Sequence, residues 1–90
     1  MSLNPDTLRI IFPEEIEEKL AAEHILKEDV EAVIRNGYRT LQQVYHQSTE
    51  EIISHKQIGQ ITLWAVYYEI PDGCVVKNVY YHRTHIEEEN

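Results

Sequence analysis

The sequence holds a single cysteine, Cys74, which rules out a disulfide framework and fits a reducing compartment, so the cytoplasm is the expected location. It has no run near the ~18 apolar residues that a membrane helix needs, and Met1 to Asp6 lacks a basic stretch with an apolar one behind it. Neither a membrane partner nor a leader is expected. Cations are scarce: eight Lys and Arg stand against sixteen Asp and Glu, a formal charge of −8. Nucleic-acid binding draws its affinity from clustered Lys and Arg that displace counterions, so this balance argues against DNA or general RNA binding. With three glycines and three prolines there is no linker, and residues 1–90 read as one small domain. A chain of this length buries only about 60–65% of its unfolded surface, so a protein partner or a homodimer that buries more would add useful stability.

What the chain does have is a patterned C-terminal third. The apolar-rich runs Ile61 to Ile70 and Cys74 to His82 flank Pro71-Asp72-Gly73, a turn sequence in which Gly73 is expected to supply a positive φ. Along the first run Ile61, Leu63, Ala65 and Tyr67 alternate with Thr62, Trp64, Val66 and Tyr68, and apolar groups on both sides predict a central strand. Along the second, alternation places Val76, Asn78, Tyr80 and His82 on one face and Val75, Lys77, Val79 and Tyr81 on the other.

Upstream, Thr7 to Phe12 reads as a short strand that stops at Pro13. Eight acidic residues then fall between Glu14 and Glu31, with only Lys19 and Lys27 among them. They read as the solvated face of helices that keep the chain soluble. The first helix is predicted from Pro13 to His24, with Ile16, Leu20 and His24 as its inward stripe. A second should start near Lys27, face Val30, Val33 and Ile34 inward, and end at Arg35 and Asn36 with Gly37 as its left-handed terminator. Residues 38–58 are the least legible. Leu41, Val44 and Tyr45 suit helix or strand, and Ser48-Thr49-Glu50-Glu51 resembles a capping box. Gly59-Gln60 instead favours a strand from Ile52 to Ile58 turned back onto Ile61 to Ile70. Together these elements predict an α+β domain: a mainly antiparallel sheet of about four strands with two N-terminal-half helices packed on one face.

Ile11-Phe12 with Lys19, the segment Glu23 to Ile34, the run Trp64 to Tyr68, and the strand ending at His82-Arg83 are similar to pieces of one known family. Glu87 to Glu89 stand where its terminal helix begins. In this order they resemble the RelE-like toxin fold, and BrnT-type toxins in particular. That resemblance implies a RelE/BrnT-like scaffold and, for the family, a metal-independent ribonuclease paired with an antitoxin. Such toxins are basic, and Ile25 stands where their "HGI" step has glycine. The resemblance therefore implies the scaffold more than the activity, and the expected function is a protein-interaction role without proven catalysis; the alternatives are a ribonuclease toxin and a small-ligand-binding module with its pocket between the helix pair and the sheet.

For the ribonuclease, a 2′-hydroxyl must lose a proton, a leaving oxygen must gain one, and a cation must meet the phosphorane charge. His82, Arg83 and Tyr81, with Tyr80 as an alternative, are the catalytic candidates at the strand end, and Arg9, Lys77 and His85 are the ligand-binding ones. A strand end carrying polar groups into water is the bland alternative. Cations gathered with a histidine into one concave patch would favour the enzyme, and scattered cations the interaction role. No metal site or cofactor is expected: His82 and His85 lie three apart on a strand, which sends them to opposite faces, and no Cys or Asp accompanies them. Cys74 reads as a small strand residue, His24 as a helix-end group, and Trp64 with Tyr67, Tyr68, Tyr80 and Tyr81 as core or dimer packing in preference to a base-stacking platform.

Overall fold

A computed structural model describes residues 3–83. The order of elements is β1 (Arg9–Ile11), α1 (Glu14–Ala22), α2 (Lys27–Thr40), β2 (Val44–His46), β3 (Glu51–Ile58), β4 (Ile61–Ile70) and β5 (Gly73–Arg83). The strands form one five-stranded sheet in the order β1-β5-β4-β3-β2, in which β1 runs parallel to β5 and every other pairing is antiparallel. The class is α+β as expected, but the sheet is mixed and holds five strands where about four were predicted. The additional strand is β2, three exposed residues without alternation that gain their pairing only from Ile53, Ile52 and Glu51 of β3.

Both helices lie on one face. Ile16 and Leu20 of α1 and Val30, Val33, Ile34 and Tyr38 of α2 join Ile52, Leu63, Ala65, Tyr67, Cys74, Val76 and Val79 in a single core. α1 packs on β5, and α2 on β3 and β4. The central place of β4 and the inward row Leu63, Ala65 and Tyr67 agree with the sequence reading.

Helix ends depart from it in instructive ways. α1 stops at Ala22, and His24 is an exposed residue at φ 59°, not part of the buried stripe. Its N–H bonds to the Ala21 carbonyl, and that of Ile25 to the Leu20 carbonyl at 2.9 Å. This is a Schellman closure, with His24 in the left-handed position and Ile25 packed on the same core as Leu20. α2 does not end at Gly37. It continues to Thr40, and Leu41 takes the left-handed cap at φ 61°. Gly37 is buried inside the helix because β3 comes too close for a side chain: a Cβ there would fall inside 3.0 Å of Ser54 Oγ.

The two hairpins use glycine differently. Gly59 takes φ 61° between β3 and β4, as a two-residue turn demands. Gly73, expected to do the same, is instead the first residue of β5, paired with Ile70 across Pro71-Asp72 and absent from the positive-φ residues. It is needed there because β1 lies against it, so that an added Cβ would sit 2.8 Å from Arg9 N and closer still to its carbonyl.

One irregularity changes the face of half a strand. Between Val66 and Tyr67 the pairing slips, because Tyr67 pairs with Val76 and Val66 with Asn78, leaving Lys77 as an extra residue in β5. This β-bulge lets Val76 and Val79 both point into the core, where both are fully buried. Uninterrupted alternation had set them on opposite faces. Tyr80 and His82 consequently lie on the face away from the helices, and Tyr81 with Val79 on the helical side.

Candidate interaction surface on the open sheet face

The face without helices carries Ile53 and His55 from β3, Thr62, Trp64, Val66 and Tyr68 from β4, and Val75, Tyr80 and His82 from β5. Strand pairing forces four rings into a row, since His55 lies opposite Trp64 and Trp64 opposite Tyr80. Trp64 is stacked on His55 with centroids 4.5 Å apart and on Tyr80 at 6.0 Å, the latter nearly parallel at 8°. His82 closes the row edge-on, 6.4 Å from Trp64 and 6.2 Å from Tyr80. Beside Trp64, toward the β2 edge, a hollow of about 510 Å³ is lined by Gln42, Gln43, Val44, Ile53, His55 and Trp64. Trp64 Nε1 is buried and has no hydrogen-bond partner among the described residues. An indole N–H shielded from water without an acceptor costs stability.

Charges on this face cancel. Lys77 Nζ reaches Glu51 Oε2 at 2.8 Å, and Arg9 Nε meets Asp72 Oδ2 at 3.2 Å at the rim. The hydrogen bond from Lys77 holds the Glu51 carboxyl below, and the Lys77 ammonium above, their ordinary pKa values. No other Asp, Glu, Lys or Arg belongs to the open-face rows of β3, β4 and β5.

The catalytic and ligand-binding candidates do not converge. His82 is on the open face, whereas Tyr81 and Arg83, its chain neighbours, pair with Leu63 and Ile61 and point to the other side. Arg9 pairs with Gly73 at the opposite end of β5, ten residues from Arg83 and so roughly 30 Å away along an extended strand. Lys77 lies between them, already bound to Glu51. His85 is outside the described residues, as are Glu87 to Glu89. No group of three or more His, Cys, Asp and Glu side chains is assembled as a metal site among the described residues. No described helix is long and apolar enough to cross a membrane.

The remaining polar cluster is structural. Ser54 Oγ lies 2.6 Å from the Tyr67 hydroxyl, Gln43 Nε2 donates to that hydroxyl at 2.7 Å, and the Tyr38 hydroxyl donates to Glu69 Oε2 at 2.8 Å. Burial pushes the Tyr38 and Tyr67 hydroxyls above the ordinary tyrosine pKa and the Cys74 thiol up to about 12, so none of these groups is poised as a base or nucleophile at neutral pH. They tie α2 and its exit to β3 and β4.

In the sequence, Trp64 and Tyr80 read chiefly as packing groups, His55 only as a remote metal ligand with His46, and Ile53 only as part of the strand Ile52 to Ile58. The signal that finds them is β4 itself: if Leu63, Ala65 and Tyr67 face the helices, Trp64 and whatever pairs with it must face away. Comparison of the chain with protein-family models, with curated proteins and with solved structures finds no match.

Proposed function

We propose that the chain is a noncatalytic protein-interaction domain on a RelE/BrnT-like scaffold, acting in the cytoplasm, and that it receives its partner on the open sheet face. One observation carries the reading: a row of aromatic rings flanked by Ile53 and Val44, with a buried indole N–H lacking an acceptor, occupies the uncovered side of the central strand. Aromatic groups with a polar edge are the side chains that dominate protein interfaces. The ribonuclease reading draws no such support, because the cations it needs are spread over both faces and both ends of the sheet. A ligand pocket between helices and sheet is no better supported, since Val30, Val33, Ile34, Tyr67 and Val76 fill that space.

The test is site-specific photocrosslinking from the open face, with the reactive group at Ile53, and from the exposed helix position Ala32 as control. Discrete protein adducts from position 53 and none from position 32 are expected. RNA adducts at 53, together with RNA cleavage that is lost in His82→Ala or Arg83→Ala, would replace this reading by the ribonuclease.

A further inference from the structure

We infer that the occupant of the open face is a second copy of this chain, joined through an isologous sheet-on-sheet contact centred on Trp64; the inference rests on the interaction reading above. Charge argues for it first. The chain carries −8 overall, so two copies repel, and the acidic residues of α1 and α2 make the helical side the worst approach. On the open face the two cations are matched by two carboxylates, Lys77 with Glu51 and Arg9 with Asp72, so self-association there meets no net charge. A strongly basic partner would find nothing to bind on it.

Size argues for it next. The strands hold 3, 3, 8, 10 and 11 residues, which at about 3.3 Å per residue and about 4.8 Å spacing give roughly 550 Å² on each copy, near the lower end of stable interfaces at ~600 Å² per partner. Placement completes the case. β4 is central in the sheet, so a two-fold axis near Trp64 lets each ring row cover the other, as in a two-sheet sandwich with its layers about 10 Å apart. That arrangement removes water from Ile53, Tyr80 and the exposed part of Trp64.

Sedimentation equilibrium of the full chain tests it. The wild type should show a concentration-dependent monomer–dimer equilibrium, with Trp64 emission moving to the red on dilution as the indole meets water. Raising salt from about 0.05 to about 0.5 M should tighten the dimer, because screening weakens the repulsion between acidic bodies while the contact itself has no charge to lose. Tyr80→Lys and Ile53→Lys, each entering the contact twice, should weaken it more than about tenfold while far-UV circular dichroism stays unchanged. Lys77→Glu should do the same, and adding Glu51→Lys should restore the dimer by restoring the pair. A wild type that stays monomeric up to millimolar concentration overturns the second-copy assignment, as does a dimer indifferent to Tyr80→Lys, Ile53→Lys and Lys77→Glu. If that monomer still gives protein adducts from position 53, the interaction reading survives alone; if it gives RNA adducts there, both fall.

Discussion

Replacing Gly37 by alanine sets two forces of known size against each other. Alanine is the better helix former by about 1 kcal/mol in a helix interior. Its Cβ, however, would fall inside 3.0 Å of Ser54 Oγ and 3.1 Å from both Ser54 Cβ and Gln43 Cγ. Ser54 is 1% exposed, and its hydroxyl is held by that of Tyr67 at 2.6 Å. It cannot swing aside without giving up a bond worth about 1 kcal/mol. Forcing a methyl into a packed contact costs about 1–3 kcal/mol; with the lost bond of about 1 kcal/mol added and the helix gain of about 1 kcal/mol subtracted, Gly37→Ala should be destabilising by about 1–3 kcal/mol. Ser54→Ala alone should cost about 1 kcal/mol, because Tyr67 keeps its bond from Gln43. In the Ser54→Ala background the offending oxygen is gone and only the 3.1 Å contacts remain, so Gly37→Ala should become nearly neutral. The double-mutant cycle in urea, followed by far-UV circular dichroism and Trp64 fluorescence, should return a coupling of about 1–3 kcal/mol favouring the double variant. Equal costs in both backgrounds would refute the claim that close approach of β3 is what keeps glycine inside α2.

Gly73→Ala should unpair β1 from β5, since its Cβ would lie 2.7 Å from Arg9 C and nearer its oxygen; amide exchange at Ile10 and Ile11 should then speed up well before that of β4. Alkaline pH should destabilise the fold. Cys74, Tyr38 and Tyr67 all have raised pKa values in the folded state, so above roughly pH 8.5 for the thiol and pH 10 for the phenols the unfolded chain loses protons that the folded chain keeps. Stability is fully present below those values and should fall by up to about 1.4 kcal/mol per pH unit for each group as pH rises toward 12. Urea midpoints that stay level from pH 8 to about 11 would show that these groups are not shielded as the structure has them.

Much of the architecture was legible because it rests on local rules. The central strand announced itself by apolar groups on both faces, the hairpin at Gly59 by its turn chemistry, and α2 by the spacing of Val30, Val33 and Ile34. What could not be read locally depended on contacts far along the chain. Gly37 resembled a helix terminator and is a contact with a strand seventeen residues on. Gly73 resembled a turn residue and is a contact with β1. His24, in contrast, closes α1 in a conformation that glycine usually supplies, and no pattern marks it. The candidate site was hidden for the same kind of reason: scattered over β3, β4 and β5, its residues become neighbours only through register.

Lys77 shows how much one residue decides. Because β5 carries it as an extra residue opposite the regular β4, every side chain beyond it is turned over relative to simple alternation. Removing it should therefore do less harm than a deletion usually does to a central sheet. With Lys77 gone, Val76 still points in, Asn78 takes the outward place, and Val79, Tyr80 and Tyr81 keep their present faces; what is lost is an exposed pair with Glu51, the exposed hydrogen bond from Lys19 of α1 to Asn78 Oδ1, and the local bend. Deleting Val66 from the unbulged β4 has the opposite consequence. There one half of the strand must flip, bringing Trp64 toward the helices and turning Leu63 and Ala65 to the open side. Each fully buried apolar side chain so exposed costs about 1.5–3 kcal/mol, enough with the accompanying strain to unfold a domain whose whole stability is of the order of 5–15 kcal/mol. The deletion lacking Lys77 should remain cooperatively folded by circular dichroism and thermal melting, and the one lacking Val66 should not. Equal loss from both would mean that the bulge is a required feature of the sheet in its own right and not merely the register device that puts Tyr80 and His82 beside Trp64.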